Sequence, residues 1–255
     1  GNVVWGSALP FKQDVKDYLD YLVHQAKKAP ARILMNTEAT KELLDTEGYE
    51  ALVIAVGSKP VVPRVPGIDK PHVYWAPDAD TGKAKVGEKV VIVGAGSVGV
   101  ESAIGLKREG KDVVVVEMAP DMRCLSASSG GVAMELMAIV EQLQIPIHLS
   151  RRLEEVTDSA VVCCNTETGE KVEFPADTVL LAVGMTARQD IADSLRRCAP
   201  ETEVFVVGDA STVGTIAGAL SAFFGGENIS DKATFLGLPL GGKRVQVGPA
   251  KSIDL

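Results

Sequence analysis

Three glycines, Gly94, Gly96 and Gly99, lie in VVIVGAGSVGVESA (90–103), where an apolar strand pattern runs into a turn and then a helix pattern. At a helix N-terminus the first backbone N–H groups are unpaired and the dipole is positive, so a pyrophosphate can sit there without a lysine. In the G-x-G-x-x-G spacing the first glycine permits the tight turn, the second lets phosphates approach the backbone, and the third lets the helix pack against the strand. Alone the motif is weak, because a tight turn that binds nothing gives the same spacing. Here a strand precedes it, a helix follows it, and VVVVE (113–117) forms a second strand ending in Glu117, 23 residues after Gly94. A carboxylate there accepts hydrogen bonds from the adenine ribose and repels the 2′-phosphate of NADP, which favours NADH. Arg123 could reach a 2′-phosphate and keeps NADPH open, its other reading being a solvated loop charge.

Asp209 closes the pattern VFVVGDA. An aspartate at a strand end can bond polyol hydroxyls or serve as a helix cap or turn residue, and the residues alone leave both open. No acid, base or nucleophile is assigned.

These residues need elements to place them. Residues 90–93 read as a strand, Ser97–Glu109 as a helix and 113–117 as a strand, a βαβ unit that implies a parallel sheet. Val132, Leu136, Ile139, Val140 and Leu143 give a second helix, and IHL a short strand after Pro146. From Leu153 to Phe174, short runs around Asp158-Ser159 and Thr168-Gly169 read as an antiparallel meander. ADTVLLAVG (176–184) and EVFVVGDA (203–210) are further strands, and a helix carrying Ile216, Leu220 and Phe223 is expected after Gly214. Upstream, a helix runs from Asp14 to about Lys28 and stops at Pro30, and ARILMNT (31–37) looks like a strand followed by an uncertain polar segment. YEALVIAV (49–56) has the pattern of a strand buried on both faces. The prolines of SKPVVPRVPGIDKP mark a connection between domains.

LVIAVGSKP (52–60) and VLLAVGMTA (179–187) form an internal repeat, each an apolar strand followed by Ala-Val-Gly. Only the second unit opens with a G-x-G-x-x-G turn, which suggests that the chain begins partway through the first.

With 46% apolar residues, 255 residues can bury a sizeable core. A net charge of −8 and few aromatics argue against a nucleic-acid surface, and Arg151-Arg152, the longest basic cluster, reads as ordinary surface. No run of 18 apolar residues or secretory start is present, so no membrane partner and a cytoplasmic location are expected. Cys124, Cys163, Cys164 and Cys198 lack C-x-x-C spacing and nearby zinc-ligand histidines, and read as inert reduced thiols with no metal site. His24, His72 and His148 read as isolated surface or boundary residues.

A-V-G-S-K-P (55–60), V-G-A-G-S-V-G-V-E (93–101), A-V-G-M-T-A (182–187) and V-G-D-A (207–210) together resemble the two-dinucleotide-binding-domain flavoproteins. Their order is similar to the C-terminal half of NADH:flavin oxidoreductases of the old yellow enzyme, 2,4-dienoyl-CoA reductase, 2-enoate reductase and trimethylamine dehydrogenase type. The resemblance covers about residues 1–230 and implies an α/β fold. A Rossmann-like parallel-sheet NAD(P)-binding domain with an antiparallel meander would occupy 82–188. It would be inserted in a partial FAD-binding domain made of 1–81, whose first βαβ unit is missing, and 189–255. The resemblance further implies that NADH gives hydride to FAD, electrons then passing through a [4Fe–4S] cluster to FMN in a barrel domain absent from this sequence.

Carried over, Gly94, Gly96, Ser97, Val98 and Gly99 would bind the NADH pyrophosphate, Glu117 the adenine ribose, and Glu101 would lie near the nicotinamide end. Read without the resemblance, Glu101 is a helix residue facing solvent. Gly57 and Gly184 would let backbone pass close to a cofactor, and Gly208 and Asp209 would contact the FAD ribitol and phosphate. The family's first G-x-G-x-x-G and its cluster cysteines are absent, so this chain alone is expected to bind NADH but not to turn over. The competing readings are a noncatalytic dinucleotide-binding module and a disulfide reductase, the latter lacking its C-x-x-C or C-x₄-C.

Overall fold

The computed structural model describes residues 2–126, 130–214 and 244–247. The helix expected to carry Ile216, Leu220 and Phe223 lies outside the described residues. In chain order the elements begin with α1 (Asn2–Gly6), α2 (Gln13–Lys28), β1 (Ala31–Leu34), α3 (Lys41–Glu47), β2 (Ala51–Ile54) and β3 (Ser58–Pro60). Next come β4 (Val73–Trp75), α4 (Ala76–Asp80), β5 (Lys89–Val93), α5 (Ser97–Arg108), β6 (Asp112–Val116), α6 (Arg123–Ser126), α7 (Gly130–Gln142) and β7 (Ile147–His148). The last are β8 (Arg151–Val156), β9 (Ala160–Asn165), β10 (Lys171–Pro175), β11 (Thr178–Leu181), β12 (Met185–Ala187), α8 (Gln189–Cys198), β13 (Glu203–Val206), a 3₁₀ turn (Gly208–Ala210) and β14 (Arg244–Val247).

The chain divides into two units, residues 1–19 with 60–184 and residues 20–59 with 185–255. The opening nineteen residues and the proline-rich stretch, grouped on sequence with the partial FAD-binding domain, thus fall in the first unit. Its centre is a five-stranded sheet in the order β4-β11-β5-β6-β7, parallel throughout. Successive strand side chains point to opposite faces, and the apolar runs use both. Val90 and Ile92 of β5, Val113 and Val115 of β6 and Leu180 of β11 join a core with Val100, Ala103 and Ile104 of α5 and Leu136 and Val140 of α7. Val91, Val93, Val116, Val179 and Leu181 join a second core with Leu153, Val161, Cys163 and Phe174 of the β10-β9-β8 sheet. That sheet is the expected meander, antiparallel at both pairings. This is a Rossmann-like α/β fold.

The proline-rich stretch, irregular beyond β3, is nonetheless anchored. Val156 N–H donates to the Pro66 carbonyl at 2.9 Å, and a Cβ on Gly67 would overlap the Val156 carbonyl. Helix α1 is absent from the sequence reading; its Trp5 meets Trp75 edge to face at 4.5 Å between ring centroids.

In the second unit β2 pairs in parallel with β13, and β1 with β14. The expectation that β2 is buried on both faces is corrected. Ile54 is buried, but Val53 is 50% exposed, and among the described residues β13 is the strand paired with β2. The uncertain polar segment folds as α3, capped by Thr40 Oγ1 accepting from Leu43 N–H and closed by Gly48 in the left-handed region. Those two signals were present in TKELLDTEG.

The repeat has a structural counterpart. After β2 and β11 the chain turns through Gly57 (φ +72°) and Gly184 (φ +95°), and the following strands β3 and β12 pair with each other. Val61 N–H donates to the Gly184 carbonyl at 3.0 Å and Arg188 N–H to the Gly57 carbonyl at 3.2 Å, so each half makes the same bond.

A Cβ on Gly99 would overlap the Gly94 carbonyl oxygen, whereas one on Gly96 meets nothing within 4 Å. Gly99→Ala should therefore cost about 3 kcal/mol or more in urea denaturation, and Gly96→Ala under about 1 kcal/mol.

Candidate functional site

Strand β5 ends at Val93 and α5 starts at Ser97, so three residues make the whole turn. Gly94 N–H continues the sheet ladder by donating to the Val116 carbonyl at 2.8 Å. Gly94 has φ +107°, and a Cβ there would overlap the Ala182 carbonyl; Gly99 is closed by the Gly94 carbonyl. The outer two glycines are thus demanded by packing. Gly96 is not, because its φ of −70° suits any residue and no atom occupies its Cβ space. Gly96 is also the N-cap and supplies no side-chain acceptor to the first turn of α5. The result is an open space at a helix N-terminus where no side chain stands, the kind of place at which backbone N–H groups and the positive dipole end favour an anion. Val98 stands exposed beside it.

Glu117 follows β6 and is only 9% exposed. Its Oε2 accepts from Ala95 N–H and its Oε1 from Ala119 N–H, both at 2.8 Å. The sequence places a carboxylate at this strand end; the two backbone partners are an addition from the structure. Arg123, the residue that kept NADPH open, is 80% exposed and bonds Asp121 through Nε at 2.7 Å. Asp121 is held below the usual carboxylate range by that side-chain bond and by the Arg123 N–H.

Glu101 does not face solvent as its simpler reading expected. It forms an ion pair with Lys12 at 2.6 Å, the two side chains being 13% and 22% exposed. One residue on, the buried Ser102 donates through Oγ to Asp80 Oδ2 at 2.8 Å. Nearby, Leu9 is buried and Arg108 lies over the Phe11 ring at 5.3 Å. Lys12 and Asp80 were missed on sequence because 89 and 22 residues separate them from their partners, with no periodicity to link them.

In the second unit Ser58 Oγ donates to Asp209 Oδ2 at 3.0 Å and Gly214 N–H to Oδ1 at 3.2 Å. Asp209 thus accepts one bond from the chain just after it and one from Ser58, an unforeseen partner. Gly57 and Gly208 both have positive φ with open Cβ space, as does Gly184 at the end of the first unit.

Arg151 departs from the ordinary surface reading. It is half-buried, with Nη1 donating to the carbonyls of Leu149 and Ser150, while Arg152 stays exposed and bonds Glu154. Cys163, Cys164 and Cys198 are free thiols, and burial pushes Cys163 up to about 12. No metal-binding group of His, Cys, Asp and Glu occurs among the described residues, and none of their helices is long and apolar enough to cross a membrane.

Burial, with the Glu101 and Glu109 charges, pushes Asp80 up to about 6 against the lowering effects of Ser102 and Lys12. A raised folded value means that protonation stabilises the fold. This contribution is complete below about pH 4 and is lost as pH rises through about 6. Asp80→Asn should therefore be more stable than the parent above pH 6.5, by on the order of 1–2 kcal/mol in urea denaturation, and the gap should vanish near pH 3.5.

Residues 10–220 match the pyridine nucleotide-disulphide oxidoreductase family. The chain is 31% identical over 231 residues to cinnamate reductase of Clostridium sporogenes, covering 90% of this chain and 34% of that protein. It is 29% identical over 234 residues to an NADH oxidase of Thermoanaerobacter brockii, covering 88% and 34%. The chain thus spans about a third of the length of these curated relatives. Among solved structures, 2-naphthoyl-CoA reductase in complex with 2-naphthoyl-CoA matches with TM-score 0.75 and 29% identity over 86% of this chain and 33% of that one. Histamine dehydrogenase from Rhizobium shares the fold at TM-score 0.68 and 21% identity, covering 86% and 36%. The chain belongs to the pyridine nucleotide-disulphide oxidoreductase family, whose members are flavoprotein oxidoreductases using NAD(H) and FAD.

Proposed function

We propose that this chain binds NADH at the glycine turn and forms the electron-input part of a flavin-dependent NADH oxidoreductase, delivering hydride from NADH to FAD. The observation that carries the reading is the open space over Gly96 at a helix N-terminus without a side-chain cap. Packing accounts for Gly94 and Gly99, whereas Gly96 is accounted for by a ligand. Gly94, Gly96, Ser97, Val98 and Gly99 would hold the pyrophosphate and Glu117 the adenine ribose. Glu101, held by Lys12, would lie toward the nicotinamide. When bound, the nicotinamide supplies the hydride; the protein's part is to position it and exclude water.

In this reading residues 82–188 are the NAD(H)-binding domain and the flanking stretches 1–81 and 189–255 belong to the FAD-binding part, although residues 1–19 and 60–81 fall in the first unit. Gly57 and Gly184, each with open Cβ space, would let backbone pass close to a cofactor. Gly208 and Asp209 would contact the FAD ribitol and phosphate. The onward partner is a barrel domain holding FMN and a [4Fe–4S] cluster, as the motif resemblance implies. One G-x-G-x-x-G offers one pyrophosphate cradle, so the chain by itself binds NADH without turning over. Free thiols at Cys163, Cys164 and Cys198 fit a reducing cytoplasm. The Glu117 carboxylate, with Arg123 engaged by Asp121, favours NADH over NADPH.

Calorimetry of the purified chain should show NADH binding that falls by about 100-fold or more in Gly96→Val. The thermal midpoint of that variant should stay within about 3 °C of the parent. Undiminished binding in Gly96→Val would remove the site assignment, and a yellow protein bleached by NADH would show that the chain holds FAD and turns over after all.

A further inference from the structure

We propose that Glu117 is a positioning residue for the glycine turn, holding its first peptide in place independently of any contact with a ribose. The proposal deepens the NADH reading and rests on it for the identity of the ligand. Ala95 lies between the first two glycines of the turn and is fully buried. Its N–H, part of the Gly94–Ala95 peptide, donates to Glu117 Oε2 at 2.8 Å. The carbonyl at the other end of the same peptide is the Gly94 oxygen, which lies where Gly99 leaves room for no Cβ. That peptide is therefore bonded to a carboxylate at its N–H, while its C=O lies close against Gly99 of α5.

The carboxylate and its backbone are themselves bonded to neighbouring segments. Oε1 accepts from Ala119 N–H at 2.8 Å, Glu117 N–H donates to the His148 carbonyl at 2.9 Å, and the Glu117 carbonyl accepts from Arg151 N–H at 2.7 Å. Glu117 thus acts as a strut from the ends of β6, β7 and β8 to the turn after β5. Charge-assisted bonds from N–H groups to a buried carboxylate are stronger than neutral ones, and a buried N–H that loses its acceptor bears the desolvation penalty. The chemical consequence is a division of labour within the turn. Ala95 N–H is committed inward to Glu117, so an anion is met by the N–H groups from Gly96 onward, in an orientation Glu117 sets. A residue that only bonded ribose hydroxyls would not affect a ligand without them.

Glu117→Gln is the discriminating variant, because glutamine keeps the shape but turns one acceptor oxygen into an NH₂ that opposes an N–H. ADP and 2′,3′-dideoxy-ADP are titrated calorimetrically into the parent and the variant. The strut predicts that both nucleotides weaken by a similar factor, about ten-fold or more. Weakened ADP with unchanged dideoxy-ADP would overturn it and leave Glu117 a ribose ligand alone.

If neither nucleotide binds the parent, the NADH reading fails, and the strut is judged by amide hydrogen exchange without ligand. Ala95 should be protected in the parent and should exchange at least about ten-fold faster in Glu117→Gln, while Val91 and Ile92 of β5 keep their protection. An unprotected Ala95 in the parent, equal rates in the two proteins, or loss of protection along all of β5 would each overturn the positioning role.

Discussion

Helix α5 can lie against the end of β5 only because two positions carry no Cβ. The Gly94 carbonyl occupies the space a side chain on Gly99 would need, and the Ala182 carbonyl occupies that of Gly94. Most of the first unit follows from this approach. It brings Val100, Ala103 and Ile104 down onto Val90 and Ile92, closing one face of the parallel sheet. It also aims the α5 N-terminus at the carboxyl edge of the strands, where open parallel sheets take their ligands. The same contact therefore serves packing and the candidate site, and Gly96 alone is left outside the packing requirement.

The polar groups around α5 follow from where that helix lies. Once its lower face is apolar and buried, Glu101 and Ser102 must find partners on neighbouring segments, which Lys12 and Asp80 supply. Ion pairs of this kind matter less for the energy of the pair than for the cost of leaving either charge alone in a partly dry place. The segment of residues 2–12, in which the sequence showed no element, is tied to the first unit by Trp5, Leu9, Phe11 and Lys12.

Legibility followed locality. The β5-α5-β6 unit, the meander and α7 stand within a few residues of where hydrophobic periodicity and turn residues put them, because strand and helix periods are properties of neighbouring residues. Helix α3 was legible in its cap residues, yet its short apolar stretch obscured it. The burial of β2 was misjudged because an apolar run reports what a strand can bury and not which strands lie beside it. Short α1 offered no period to detect.

At the candidate site the sequence by itself determined the glycine spacing, the helix that follows it and the carboxylate at the end of the next strand. These are fixed by backbone sterics and chain connectivity over fewer than 30 residues. Tertiary structure decided which glycines are packed and which is open, that the Glu117 oxygens face Ala95 and Ala119, and that Lys12, 89 residues away, neutralises Glu101. It also paired β3 with β12, the strands that follow the two Ala-Val-Gly sequences. Such contacts depend on how distant segments pack, and no spacing along the chain encodes the direction in which a side chain is left to point.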